Sequence, residues 1–338
     1  MEITKKKENG ILNICCKINS DFSLFRMRSC NDYNLEALIK EEIWATCPRA
    51  FNDPYDTYIA CDEKKVAHQV LNYLNDKEDL LEFLMVNSGT NNRRVWLSHY
   101  VHNFYQQMNE TFRRTYVIAC FTMDICNEIM WAHYAESSRG FALEYNFWDL
   151  KDLGEISDQS LRETFKKFNF FNLSDDVLNT PITDVLLPVE YKNDKYNATE
   201  LLGKIIIDVL ELYYNAFKTN QISMESVQKY VEESQKKNEV ERRALFQNAI
   251  SPKKKIWSYE KEWRLIANNS SILSGNIDSN HCLVGTLKPK AIYLGEFIAE
   301  HNKVIILDYA KKNNIPVYQM YSVITPSHVR LKYKLIKE

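Results

Sequence analysis

Glycine and proline are scarce in this chain, each occurring 8 times in 338 residues. Glycine-rich loops that bind phosphate need several glycines at fixed spacing, and neither GxGxxG nor GxxxxGKS/T occurs. Rossmann-type dinucleotide binding and P-loop nucleotide hydrolysis are therefore disfavoured. The same scarcity argues against a β-sandwich built from many tight turns.

Long hydrophobic runs and an excess of one charge are also missing. No run of about 18 apolar residues appears, and the N-terminal stretch MEITKKKENG lacks the apolar part of a signal peptide. We therefore expect a cytoplasmic protein with no membrane partner. The net charge is −2, so no overall electrostatic attraction to nucleic acid is expected. The best local basic run, Lys253-Lys254-Lys255, is interpreted as the solvated start of a helix.

Cysteines are present, but their spacing does not suit a metal site. The 8 cysteines include no CxxC pair, whereas structural zinc sites normally use closely spaced ligand pairs. In a cytoplasmic chain we interpret them as buried thiols. His99 and His102 have a zinc-like spacing, but no third ligand is evident nearby. No metal cofactor is expected.

The hydrophobic pattern predicts an α+β protein with mixed or antiparallel central sheets. Residues 1–338 are predicted to form a single domain, with a helical insertion at 63–114 and a helical layer at 199–248. The predicted strands are 23–29, 43–47, 116–122, 141–146, 186–193, 257–267, 291–296 and, as the last strand, 315–323. The N-terminal residues are expected to be irregular apart from an edge strand in ILNICCKI.

Polar residues follow or end the apolar predicted strands in four places, which is where rigid scaffolds commonly present functional groups. Each group also has a structural interpretation. In the structural interpretation, Arg28 pairs with a carboxylate, Asn52 and Asp53 form an Asx-turn, and His133 is a core residue. The four groups are Arg26 and Arg28; Asn52, Asp53 and Asp56; His133, Tyr134 and Arg139; and Glu260, Glu262 and Arg264.

The segment WSYEKEWR (257–264) allows two conformations with different consequences. On a strand, Glu260, Glu262 and Arg264 share one face, and Tyr259 and Trp263 lie on the other. On a helix, Glu260 and Arg264 form an ordinary surface pair four residues apart. The aromatic and β-branched content of WSYEKEWRLIA favours the strand.

These segments together resemble a known family. The series FRMRS, ALIKEEIWATCPRAFNDPYD, ACFT…IMWAHYAESSRGFALEY and IWSYEKEWRLI, spread over residues 23–323, resembles a bacterial family named as domain of unknown function 2971. FNDPYD, MWAHYA and YEKEWR are its most specific parts. One departure is Met27, because the family tends towards a Tyr-Arg pair at this strand. The resemblance also implies a role as a bacterial toxin or in anti-phage defence.

The overall layout further resembles the ADP-ribosyltransferase fold, which holds NAD with a polar residue of an early strand and carries a glutamate, often in an ExE pair, on a late strand. This resemblance implies NAD as the substrate and a macromolecular acceptor, either protein or nucleic acid. It implies Glu262 as the catalytic carboxylate and Glu260 as its partner at the acceptor, with His133 beside them. The residues expected at NAD are Arg28, Arg26, Asn52, Asp53, Tyr134 and Arg264.

Two other functions stay open at this stage. Asp53, Asp56, Glu260 and Glu262 are carboxylates suited to Mg²⁺, which would make a metal-dependent nuclease or phosphodiesterase. Alternatively, Arg28, Arg139 and Arg264 neutralise these carboxylates in a buried network, and the protein is a non-enzymatic sensor or binding protein. Oligomeric state is not predicted.

Overall fold

The structure, a computed structural model, describes residues 2–8, 11–17, 23–86, 92–147, 186–219, 248–269 and 279–336. Helices and strands are interspersed along these residues, which confirms the predicted α+β class. The strands are β1 Glu2–Glu8, β2 Ile11–Lys17, β3 Leu24–Arg28, β4 Glu42–Thr46, β5 Tyr116–Thr122, β6 Phe141–Tyr145, β7 Leu186–Pro188, β8 Glu190–Tyr191, β9 Pro252–Lys253, β10 Glu262–Asn268, β11 His281–Thr286, β12 Ala291–Leu294, β13 Val317–Ile324 and β14 Val329–Leu335. The α-helices are α1 Asp32–Ile39, α2 Glu63–Asn75, α3 Glu78–Val86, α4 Arg93–Thr115, α5 Glu128–Tyr134, α6 Thr199–Thr219 and α7 Glu300–Asn313, and two 3₁₀ helices span Pro48–Ala50 and Lys255–Glu260.

The main sheet has 10 strands and forks at β5. Its order is β11-β4-β5-β3-β6-β12-β13-β14, with β10 on β5 and β7 on β10. Because β10 pairs with β5 along its whole length, β3 and β4 must share the other edge of β5. Each meets that edge at one position, Phe25 opposite Thr122 and Thr46 opposite Ile118. A gap therefore opens in the sheet between β3 and β4.

The two largest hydrophobic clusters of the described residues lie against the main sheet and among the helices. Apolar residues from both arms of the sheet pack with α1 and α7, as Trp263 and Leu265 do with Leu38 and Ile306. A second core lies among α2, α3, α4 and α6. Full burial of each such side chain stabilises the fold by about 1.5–3 kcal/mol. Within the described residues, no helix is both long and apolar enough to cross a membrane.

Several sequence predictions of secondary structure need correction. The strand expected in ILNICCKI is present as β2, but residues 2–8 are not irregular, because they form β1 and pair with β2 antiparallel. The strand predicted as the last one is followed by β14, which pairs with β13 antiparallel. A strand signal was present there, because VRLKYKL alternates apolar and basic residues. The predicted second half of the 199–248 layer falls largely on residues 220–247, outside the described part of the chain.

Gly140 allows β6 to begin directly against β3. A Cβ atom at Gly140 would lie 2.0 Å from the Arg28 carbonyl oxygen and 3.1 Å from Ala135 Cα, both backbone atoms. Its amide also donates to the Ala135 carbonyl at 2.8 Å. The end of β3, which carries Arg28, therefore keeps its position only if residue 140 has no side chain.

Gly140→Ala should destabilise the protein by about 3 kcal/mol or more, because the added methyl group would overlap backbone atoms that cannot move without shifting β3. Gly203→Ala in α6 is the matched control. There the added methyl group meets only the side chain of Gln69, which can rotate away, and alanine favours a helix. Chemical denaturation of both variants checks this, and equal losses of unfolding free energy would contradict it.

Candidate functional site

Glu260 and Glu262 lie on different elements, so the predicted single strand through 257–267 is wrong in its first half. Glu260 ends the 3₁₀ helix, and β10 begins at Glu262. Between them Lys261 adopts a left-handed conformation with φ 43° at the end of the 3₁₀ helix. The two carboxylates nevertheless converge, because both bind the same lysine.

Arg264 is completely buried and forms the centre of a charge cluster. Its guanidinium donates to both oxygens of Asp56, Nη1 to Oδ1 at 2.9 Å and Nη2 to Oδ2 at 2.6 Å. Its Nε donates to Glu262 Oε1 at 2.9 Å, and Nη1 also donates to the Ile250 carbonyl at 2.5 Å. These paired hydrogen bonds between guanidinium and carboxylate hold the loop at 51–57 against β10.

Lys253 on β9 joins the two glutamates. Its Nζ lies 2.5 Å from Glu260 Oε2 and 2.9 Å from Glu262 Oε2. It also lies 3.8 Å from Asp56 Oδ2. The interpretation of Lys253-Lys254-Lys255 as solvated is therefore wrong for Lys253, which is 8 % exposed. The sequence of three consecutive lysines does not indicate which of them is buried. Lys253 is the buried one because it lies on β9, which pairs with β8.

The surroundings of Glu260 favour its protonated form. Burial and the charge of Glu262 raise the pKa of Glu260 to about 7, although Lys253 opposes them. Tyr134 on α5 donates to Glu260 Oε1 at 2.6 Å. Burial and Glu260 raise the pKa of Tyr134, so the phenol keeps its proton. Glu260 therefore can gain or lose a proton close to neutral pH.

Glu262 has the opposite character. Burial alone would raise its pKa, but Arg264 and Lys253 outweigh burial and hold the pKa well below its ordinary value. Burial likewise opposes the charge of Lys253, while Glu262 and Glu260 outweigh it and raise that pKa. The backbone amide of Glu262 donates to the Tyr191 hydroxyl at 2.7 Å. Glu262 is therefore a fixed negative charge.

Both glutamates open onto one cavity of about 270 Å³ at the fork of the sheet. Arg26 and Arg28 of β3 line the same cavity. Arg26 donates to the Trp44 carbonyl and lies over the Phe121 ring at 5.5 Å. Among the described residues, the side chain of Arg28 has neither a hydrogen bond nor an ion pair, and neither arginine has a carboxylate partner. Burial lowers the pKa of both arginines.

The structure brings together most of the residues predicted from the sequence. The cavity is lined by Arg26, Arg28, Asn52, Asp53, Tyr134, Glu260 and Glu262. Asp53 Oδ1 also accepts from the Tyr55 amide at 2.9 Å, so the Asx-turn interpretation is correct for that residue. His133 is exposed and does not line the cavity, since Met130 and Trp131 take the buried side of α5. Arg264 lies behind the cavity rather than in it.

Three further residues of the site were not identified from the sequence, namely Lys253, Trp257 and Cys120. Lys253 Nζ lies 5.1 Å from the centre of the Trp257 ring. Burial and Glu262 raise the pKa of the Cys120 thiol well above its ordinary value, so it is a poor nucleophile. Among the described residues, no three histidine, cysteine or acidic side chains are grouped to hold a metal. Lys253 and Arg264 lie between the carboxylates that a metal would need.

Glu260→Gln should change how stability depends on pH. The unfolded chain loses the Glu260 proton near pH ~4.3, whereas the native protein retains it up to about pH 7. Between these values the native state binds more protons, so Glu260 makes stability fall as pH rises. As the pH rises from about 5 to about 8, the free energy of unfolding of Glu260→Gln should increase by on the order of 3 kcal/mol relative to that of wild type.

Urea denaturation across this pH range measures the difference. Glu36→Gln, at an exposed position on α1, is the control and should follow the wild-type curve. Parallel curves for wild type and Glu260→Gln would show that Glu260 does not retain its proton.

Comparison with known proteins adds a family match. No curated protein and no solved structure matches the chain. The matched segment runs from α5 into β10 and so contains Tyr134, Lys253, Glu260, Glu262 and Arg264. Residues 130–265 match the family model described as "Protein of unknown function (DUF2971)", which supports the family prediction made from the sequence.

Proposed function

We propose that the protein binds NAD in the cavity at the fork and transfers ADP-ribose to a macromolecular acceptor, releasing nicotinamide. One observation carries the proposal: within the described part of the chain, two arginines without carboxylate partners and two carboxylates of opposite protonation behaviour line the same cavity. Arginine is suited to the pyrophosphate of NAD, because its planar fork forms charge-assisted pairs of hydrogen bonds. Arg28 is the residue with donors to spare.

Glu262 would supply the negative charge that this reaction needs. Breaking the bond between nicotinamide and ribose develops positive charge on the ribose carbon. A carboxylate already fixed in place stabilises that charge without having to reorganise. Arg264 and Lys253 fix Glu262 in this way. Lys253 and Arg264 are positioning residues in this scheme.

Glu260 would act on the acceptor. As the ribose–nicotinamide bond breaks, a nucleophilic atom of the acceptor bonds to the ribose carbon and loses a proton. A carboxylate with a pKa of about 7 is matched to accept that proton near neutral pH. Tyr134 holds one oxygen of Glu260 and leaves its orientation defined.

The two other functions fit the geometry less well. A metal-dependent nuclease would need Asp56 and Glu262 as ligands, but each is paired with Arg264. A purely structural network would pair the arginines with carboxylates throughout. Arg264 meets that description, whereas Arg28 does not and Arg139 is exposed.

Glu262→Gln should lower the rate of nicotinamide release from NAD by at least about a hundredfold, as loss of preorganised electrostatic stabilisation does. Arg28→Gln should mainly raise the KM for NAD, by about tenfold, because it removes a phosphate contact present before and during the reaction. Chromatography of nicotinamide released with cell extract as the acceptor measures both. Glu36→Gln and Arg93→Gln, both at exposed positions, are matched controls that should retain the wild-type rate.

A fully active, folded Glu262→Gln protein would contradict the assigned role of Glu262. If wild type releases no nicotinamide but cleaves nucleic acid, and EDTA stops that cleavage, the metal-dependent alternative replaces the proposal.

The rate should also depend on pH through Glu260. The base form of Glu260 accumulates as pH rises through about 7, so kcat/KM should increase up to that pH and then level off. Glu260→Gln should lower the plateau and remove this ionisation from the profile. The check is initial rates from about pH 5.5 to about pH 9, and an unchanged ionisation in Glu260→Gln would assign it to another group.

A further inference from the structure

The C-terminal part of the chain has a charge distribution unlike the rest. Residues 309–337 contain no aspartate or glutamate and six basic residues, Lys311, Lys312, Arg330, Lys332, Lys334 and Lys337. Since the whole chain has a net charge of −2, the remainder carries −8. The segment that includes the β13–β14 hairpin therefore carries a net charge of +6, opposite in sign to the rest of the chain.

Three of these cations share one face of β14. Arg330, Lys332 and Lys334 alternate along the strand, so their side chains point to the same side at a spacing of about 6.8 Å. All three are exposed. Among the described residues, none of them has a carboxylate partner. This arrangement is a straight row of solvated positive charge at the edge of the main sheet.

An aromatic ring lies within this row. Tyr321 on β13 is directly opposite Lys332, so the two side chains share a face. Lys334 Nζ lies over the Tyr321 ring at 5.8 Å. Lysines on an edge strand also discourage pairing between molecules, but that role requires neither a tyrosine nor an arginine beside them.

We propose that the face formed by Tyr321, Arg330, Lys332 and Lys334 binds single-stranded nucleic acid. The row of cations would follow the phosphates, and the tyrosine would stack with a base, which is the usual combination for binding single strands without sequence preference. β14 is four strand spacings from β3 in the sheet, about 19 Å. Use of the bound nucleic acid as the acceptor rests on the proposed function, whereas binding itself involves no NAD.

The test is fluorescence anisotropy with labelled oligouridylate and oligothymidylate of about 20 nucleotides and no NAD present. Wild type should bind at least one of them, with an affinity that falls as salt rises and a log–log slope of about −2, for three cations. Arg330→Glu/Lys332→Glu/Lys334→Glu should bind at least about tenfold more weakly. Tyr321→Leu should bind about fivefold more weakly through lost stacking.

The matched control is Lys64→Glu/Lys65→Glu/Arg93→Glu, exposed positions near the N-termini of α2 and α4. Both triple variants change the net charge by the same amount, and both keep charged residues at the altered positions. The control should bind within about twofold of wild type, and circular dichroism melting should show that both variants fold. The proposal is overturned if both triple variants lose binding equally, or if wild type binds only duplex DNA or phosphatidylserine vesicles.

Discussion

A completely buried guanidinium is the constraint on which this site depends. Removing an arginine from water is costly unless its donors are satisfied, and breaking a buried pair typically costs about 3–5 kcal/mol. Arg264 meets this requirement with Asp56, Glu262 and the Ile250 carbonyl. These partners come from the 51–57 loop, β10 and the chain before β9, which are distant in sequence. The hydrogen bonds of this one side chain therefore join the segments that form the site.

The protonation states of the two glutamates follow from the same interaction. Among the described residues, Asp56, Glu260 and Glu262 form ion pairs with two cations, Lys253 and Arg264. Glu262 touches both cations and stays ionised, whereas Glu260 touches only Lys253 and has its pKa raised. Two chemically identical side chains thus acquire different roles through their neighbours, as in many acid–base pairs of enzymes.

Local sequence patterns were sufficient for much of the fold. Strands such as β5 were predicted because apolar and β-branched residues are favourable in a buried strand. Asparagine is favoured at helix N-termini, and the side chain of Asn31 caps α1 by accepting from the Asn34 amide. The four polar groups supplied most of the charged residues of the cavity because strand ends in this fold meet at the fork of the sheet.

The failures have tertiary causes. Nothing local indicates that Lys261 would adopt a left-handed conformation, which is uncommon for a lysine. The aromatic and β-branched content of residues 257–267 therefore suggested one continuous strand. The burial of Lys253 likewise depends on β8, more than 60 residues away in the chain. His133 was assigned to the site with its neighbour Tyr134, although adjacent residues on a helix point in different directions.

The fork explains how the cavity holds two arginines that have no carboxylate partner among the described residues. If β3 paired with β5 along its length, Arg26 and Arg28 would lie over a continuous sheet, where buried positive charge has no compensation. Because the strands diverge after Phe25 and Thr122, the guanidinium groups face a space that a ligand can fill. An anion there would relieve the charge that burial disfavours, and binding to the native state alone would raise stability by RT ln(1 + [L]/Kd). In the proposed function that anion is the pyrophosphate of NAD, so NAD binding would stabilise the folded protein.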